Sequence, residues 1–417
     1  MSNKDKQNIS YNNQSYIQHL SFMRLGDDGY VDSSKAKYEY LVDNDKVHKI
    51  SFVSDITFPC FRGSFIVNDV GDSFMHRIIA DGYTMCFFKL QRIDRTEIVS
   101  ELKHQFVVTD VEMIDKMAKT YKVNIMSFDW YKFNNYTLYS SNKDKTYTKI
   151  LQEILKASDI KINPKFVDSD NTGFFLTQTS FTLLDSIKFL LKRTFSPELG
   201  LFFLIFDLVT SKYNIINLNE KIKNITEQRE EHAAANIFFV SDSTEMGSIR
   251  NNMMGITIKN YQGFQKMMEV VKETDIASFD YEKMEWTHEK LTRKKINDSF
   301  PKLQRNDLKT MYKNFPKFEN NGSSRNTVES IDLRYSKYDA MKETFLLSNV
   351  LIGTSQGDMT RNAGDFMFLK LGDLSPLYNK ISGLWCASRV YHLFEDGQYK
   401  NEYHLCRSDY SRNLENV

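Results

Sequence analysis

The chain has 417 residues, with 55 Lys and Arg against 54 Asp and Glu, a formal charge of +1. That balance lacks the basic excess a dedicated duplex DNA binder uses on phosphates. With 41% hydrophobic and 13% aromatic residues and only 6 Pro and 17 Gly, the chain is neither disordered throughout nor collagen-like, and its length corresponds to about two to four domains.

Residues 1–14 are polar and read as a tail. From 15 to 128 short runs of β type alternate with turn residues: Tyr16–Arg24, Lys37–Val42, Lys46–Phe52, Phe61–Asn68, Tyr83–Arg92, His104–Asp110 and Lys122–Phe128. Such strands suggest an antiparallel barrel or sandwich over 15–128. A helical connecting region, 129–198, follows. Tyr147–Ala157 places Tyr147, Ile150, Leu151, Ile154 and Leu155 on one face. Phe181–Arg193 aligns Leu183, Leu184, Ile187, Leu190 and Leu191, with Ser180 as the expected N-cap.

β character returns at Leu199–Asp207 and Tyr213–Leu218, then more weakly at Asn236–Val240, Ile256–Lys259 and Ile276–Glu285. A short helix is expected at Ser336–Leu347, before a last β block, Val350–Arg407. The expected architecture is β-rich α+β, with two barrel-like antiparallel domains, 15–128 and 199–417. Helical elements lie between them, and an insertion at about 219–335 interrupts the second. No internal repeat of solenoid length is present.

The longest apolar run, Leu199–Val209, has 11 residues and contains Asp207. A membrane-spanning helix needs about 20. The N-terminus lacks the apolar core of a signal peptide, and four Cys without a CxxC make no disulfide framework. The expectation is a soluble protein made in a reducing compartment.

Candidate chemistry is sparse. Cys386, His392, His404 and Cys406 are zinc-type ligands, but their spacing matches no common zinc pattern. Asp396-Gly397 signals a two-residue hairpin turn. Its register pairs Glu395 with Gln398 and His392 with Asn401, sets Arg389 opposite His404, and sets Ala387 opposite Cys406. Cys386 and His392 then point one way while His404 and Cys406 point the other, so a shared metal would need a bulge or a different turn. Nucleophile elbows and phosphate-binding glycine loops are missing. Gly357-Asp358 and Gly364-Asp365 read as turns, since the stretch lacks EF-hand ligand spacing. Asp27-Asp28, Asp43/Asp45 and Glu230-Glu231 read as solvated carboxylates. Between Lys290 and Lys317 there are nine Lys or Arg against two Asp, interleaved with Phe300, Tyr312 and Phe315. That stretch reads as a solvated or partner-facing insertion. No catalytic, cofactor-binding or metal residue is assigned.

Three ordered blocks resemble the baseplate central hub proteins of contractile-tailed phages, whose fold also forms the N-terminal part of type VI secretion spike proteins. The first is FRGSFIVNDVGDSFMHRIIADGYTMCFFKL, Phe61–Leu90. The second is YTKILQEILKASDI with TSFTLLDSIKFLLKRTFSPELGLFFLIFDLVTSKYNIINL, similar to the family's two helices and the β-hairpin opening its second barrel. The third, from Val350 to Arg407, is similar to that barrel's closing strands, with Gly364-Asp365, Gly383, Trp385, His392, Asp396-Gly397 and Tyr399–Arg407 at the matching positions. Residues 219–335 carry no resemblance.

The resemblance implies a non-enzymatic virion protein of the tail baseplate, assembled in the host cytoplasm. It would form a homotrimeric ring whose six barrels adapt a six-fold tail tube, or tube initiator, to a three-fold central spike. Tape measure and baseplate wedge proteins are further implied partners, with no attached spike, no membrane insertion and no sequence-specific nucleic acid. The residues leave two other readings open: a β-rich carbohydrate-active enzyme whose acids meet only in the fold, and a barrel binding single-stranded nucleic acid.

Overall fold

The computed structural model describes residues 14–24, 40–42, 46–69, 84–94, 97–137, 141–169, 172–176, 181–194, 199–227, 237–240, 252–258, 274–280, 284–291, 317–318, 342, 349–371, 383–395 and 398–407. The first part is all β: β1 (Gln14–Arg24), β2 (Tyr40–Val42), β3 (Val47–Asp55), β4 (Phe58–Asn68), β5 (Thr84–Asp94), β6 (Glu97–Asp115) and β7 (Thr120–Ser127). A mixed part follows: α1 (Asp129–Asn135), β8 (Ser141–Thr146), α2 (Tyr147–Ala157), β9 (Thr172–Leu176), α3 (Leu183–Arg193), β10 (Phe202–Asp207), β11 (Lys212–Asn217) and α4 (Leu218–Glu227). The last part is β12 (Ile237–Val240), β13 (Asn252–Ile258), β14 (Thr274–Asp280), β15 (Glu285–Leu291), β16 (Lys317–Phe318), β17 (Asn349–Gln356), β18 (Phe366–Leu371), β19 (Gly383–Glu395) and β20 (Gln398–Arg407). The protein is a β-rich α+β fold, as the run lengths led one to expect.

Alternation explains the strands. In β7, Tyr121, Val123 and Ile125 are buried while the residues between them are half-exposed, the two-residue period of a sheet with one face on a core. In α2 the expected face, Tyr147, Ile150, Leu151, Ile154 and Leu155, is the buried one. The cap of α3 is a correction. Thr182, not Ser180, closes it: the Thr182 side chain accepts from the Asp185 N–H, and Asp185 reaches back to the Thr182 N–H. This reciprocal box satisfies two N–H groups that the first turn leaves open.

A single sheet of thirteen strands runs β18-β12-β13-β17-β20-β19-β3-β4-β7-β6-β5-β1-β2 among the described residues. An additional β18–β19 pairing closes the six strands from β18 to β19 upon themselves, which removes their free edges. The two halves of the chain join where β19 pairs antiparallel with β3, from Arg389↔Asp55 to Glu395↔Lys49. β10 and β11 form their own two-stranded sheet, outside that closed ring, with β10 packed on β3 and β4.

The main core collects side chains from β1, β3–β7, α1–α3, β10, β11 and the tip of the β19–β20 hairpin. Phe52 sits at its centre, with ring centroids of Phe61, Phe88 and Phe106 at 5.5, 4.8 and 5.3 Å. Such offset and tilted pairs add to the burial of area itself. A second core, of Met253, Leu351, Met367, Leu369, Trp385, Ala387, Val390, Tyr403 and Leu405, fills the closed six-stranded ring. No helix among the described residues is long and apolar enough to cross a membrane. The polar tail and the Ser336–Leu347 helix lie outside the described residues, Gln14 and Lys342 apart.

Candidate functional site

The closing hairpin bears out part of the expected register and corrects the rest. Glu395 pairs with Gln398, His392 with Asn401 and Arg389 with His404; the turn residues Asp396 and Gly397 lie outside the described residues. Beyond Arg389 the register slips at Ser388, so Ala387 faces Leu405 and Cys386 faces Cys406. The cause is packing. Trp385, Cys386 and Ala387 are all buried, but of these only Trp385 and Ala387, at odd positions, share the second core with Val390, which with buried His392 and Phe394 lies at an even one. One extra residue is the only way to keep both sets on the core side of one strand. The bulge is held on both flanks: the Ser388 carbonyl accepts from the Ile56 N–H at 2.9 Å, and its hydroxyl donates to the His404 carbonyl at 2.8 Å.

Cys386 and Cys406 therefore meet on one face, while His392 points into the core. His392 Nδ1 lies 2.7 Å from the Tyr399 hydroxyl, and burial lowers its ring from 6.5 to about 4. His404 Nε2 lies 3.1 Å from Glu402 Oε1 on the opposite face. No three His, Cys, Asp or Glu side chains among the described residues are arranged to hold a metal. All four cysteines are buried and free, and burial pushes the Cys60, Cys86 and Cys386 thiols up, away from the reactive thiolate.

The Gly-Asp pairs build the loop between β17 and β18. Asp358 Oδ1 accepts from the Thr360 N–H and hydroxyl, and Arg361 lies 3.3 Å from Asp358 Oδ2. Gly357 N–H donates to Tyr399 and Gly364 N–H to Ala387. The Ala363 N–H donates to Ser54 Oγ, and Lys221 Nζ reaches Asp365 at 3.1 Å. This short loop thus ties β3, α4, β19 and β20 together. At the seam itself Asp55 is buried, its Oδ2 lying 2.7 Å from Arg389 Nε and 3.5 Å from Arg62. Thr57 donates twice to Oδ1.

A cleft of about 800 Å³ opens between the β5–β6 pair and α1. Lys89, Lys103, Lys132 and Lys161 line it, with Phe87 and Phe128 among its apolar walls. Two carboxylates share it. Burial raises the Asp129 carboxyl above its ordinary range, against the pull of Lys132. Asp159 is exposed and lies 3.3 Å from Lys132. No spacing in the sequence signals this cleft, because its lysines come from β5, β6, α1 and the segment after α2. Of the other singled-out residues, Asp27, Asp28, Asp43, Asp45, Glu230, Glu231, Phe300, Tyr312 and Phe315 lie outside the described residues.

No family model matches the sequence, and no curated protein matches it. Solved structures do. The tail protein from Neisseria meningitidis MC58 superposes with a TM-score of 0.55 at 8% identity, over 95% of this chain and 98% of that one. The 43 kDa tail protein of prophage MuSo2 from Shewanella oneidensis gives 0.55 at 9% identity, over 95% and 98%. The resemblance read from the three blocks thus has its counterpart in the fold, which the chain shares with these tail proteins over 95% of its length.

Proposed function

We propose that this chain is the central hub of a phage-type tail baseplate, a structural virion protein that forms a homotrimeric ring between tail tube and spike. The observation that carries the reading is the end-to-end fold match to two tail proteins, over 95% of this chain and 98% of each of theirs. Two β units per subunit, divided near the 129–198 region, give six in a trimer, which lets three-fold and six-fold neighbours share an axis. The closed ring of strands and the seam at β3–β19 supply a stiff subunit for that task.

The enzymatic alternative has one observation in its favour, the raised carboxyl of Asp129 in the cleft. A glycosidase needs a second carboxylate facing the same sugar, and Asp159 is instead exposed and held by Lys132. Gold labelling of the tagged chain in assembled particles tests the hub reading. Label at the tail tip on the axis is the expected result. Label elsewhere, or none on the particle, contradicts it.

A further inference from the structure

The bulge at Ser388 brings two thiols together. By shifting the register one residue it sets Cys386 opposite Cys406, where an unbroken ladder would set Ala387. Directly opposed residues of an antiparallel pair project to one face, with Cα atoms about 4.5–5.5 Å apart. A disulfide spans Cα separations of about 4.4–6.8 Å, so the pair lies within bridging reach without a backbone rearrangement. Both thiols are free and buried. Burial first, and then the Cys406 thiol beside it, push the Cys386 thiol up. Neither of the other two cysteines faces a thiol. Cys86 is opposite Phe22 on β1 and Phe106 on β6, and Cys60 lies on β4, whose ladder partners β3 and β7 contain no cysteine. The position of the pair is also particular. It forms the last rung of the β19–β20 ladder, with Phe366 of β18 opposite Cys386 and Val350 of β17 opposite Cys406. Four of the six strands of the closed ring meet there.

We propose that Cys386 and Cys406 are a redox-sensitive staple, a cross-strand disulfide that closes when the protein meets a small-molecule disulfide such as oxidised glutathione and reopens under excess thiol. One cysteine thiolate attacks the glutathione disulfide, expels a glutathione thiolate and leaves a mixed disulfide. The second cysteine thiolate attacks that bond at the protein sulfur, expels the other glutathione thiolate and completes the bridge. The two cysteine protons end on the two released glutathione thiols, and the two electrons lost by the cysteines reduce one glutathione disulfide. Burial keeps the thiolate scarce, so exchange is slow while the rung is closed. Local opening at the end of a ladder costs less than global unfolding and admits the reagent. Once one cysteine is in the mixed disulfide, the register holds the other beside it, which favours closure over a lasting adduct. The bridge closes a loop of about 20 residues and restricts the unfolded chain, so the ring of strands resists opening in an oxidising medium. The inference is independent of the hub reading.

The full chain, purified reduced and incubated with oxidised glutathione below its melting temperature, tests the staple. The expected product is lighter by two hydrogens, and alkylation in denaturant labels Cys60 and Cys86 but neither Cys386 nor Cys406. Peptide mapping joins the two protected positions, and dithiothreitol restores the starting mass. The bridged protein melts about 5 °C or more above the reduced one, and a Cys406→Ser variant shows no such rise on the same treatment. Should that variant fail to fold, the peptide map and the two melting temperatures of the parent decide alone. All four thiols remaining free would overturn the proposal. So would a lasting glutathione adduct at either cysteine, a bridge mapped to another pair, or a bridge that leaves the melting temperature unchanged or lowers it.

Discussion

Gly364 shows how much a single position carries. Its φ is +80°, and an added Cβ would meet the Cδ1 atoms of Ile205 and Ile216. Only glycine fits both the backbone and the space. Gly364→Ala should cost about 2–4 kcal/mol in denaturant unfolding, strain and overpacking adding together. His392 gives a prediction in pH. Burial lowers its ring from 6.5 to about 4, so the unfolded chain takes up a proton below about 6.5 that the native chain refuses until about 4. Its contribution is therefore complete above 6.5 and is lost as the pH falls through that window. The stability gap between the parent and His392→Gln should narrow by about 1–3 kcal/mol between about pH 7 and pH 4.5. A constant gap would show that the ring is not held neutral. His104, among the rings of Phe61, Phe106 and Phe206, is lowered to about 4 as well, and acts in the same direction. Neither histidine's burial was legible in the sequence, because rings that help enclose them, Phe61 for both and Phe206 for His104, come from distant strands.

Period was legible at the scale of elements, and exceptions to period were not. The stripes of α2 and α3 and the seven opening strands follow from residue spacing alone. The β8–β9 pair and α4 escaped notice. β8 is SNKDKT, with mostly exposed side chains and no apolar alternation to read. The bulge at Ser388 left no mark in the sequence, because apolar residues occupy 384–387 and then 390, 391, 393 and 394, both parities on either side. Read as a continuous alternation, the strand put Ala387 opposite Cys406; with one extra residue it gives the observed Cys386↔Cys406 pair. Deleting Ser388 should turn Trp385 and Ala387 to the opposite face and unfold the closed ring of strands, seen as loss of the cooperative thermal transition. For α3, Thr182→Ala removes the capping box and should cost about 1 kcal/mol, with Ser180→Ala close to neutral.

For the whole molecule, the longest shared ladder between the halves is the β3–β19 seam. β19 belongs to the closed ring and pairs with β3 of the opening strands, with Asp55 buried between Arg389 and Arg62 at that seam. Both arginines are nearly half exposed, so on loss of Asp55 they turn to water, and the cost is mainly that of the broken hydrogen bonds. Asp55→Ala should lower stability by about 1–3 kcal/mol and separate one thermal transition into two. Sequence reading reached the fold class and the resemblance to hub proteins because ordered strand and helix patterns survive where identity has fallen to 8%. It did not reach the seam or the cleft, which are built from residues hundreds of positions apart or from four separate elements. The proposed homotrimeric ring is tested by the mass of the protein in solution, alone and mixed with candidate tube and spike proteins. Since weak ring contacts depend on concentration, the measurement spans a wide range of it. The expected species has three times the chain mass, alone at high concentration or with a partner, and gives ring-shaped particles in electron micrographs. A monomer at every concentration, alone and with both partners, would contradict it.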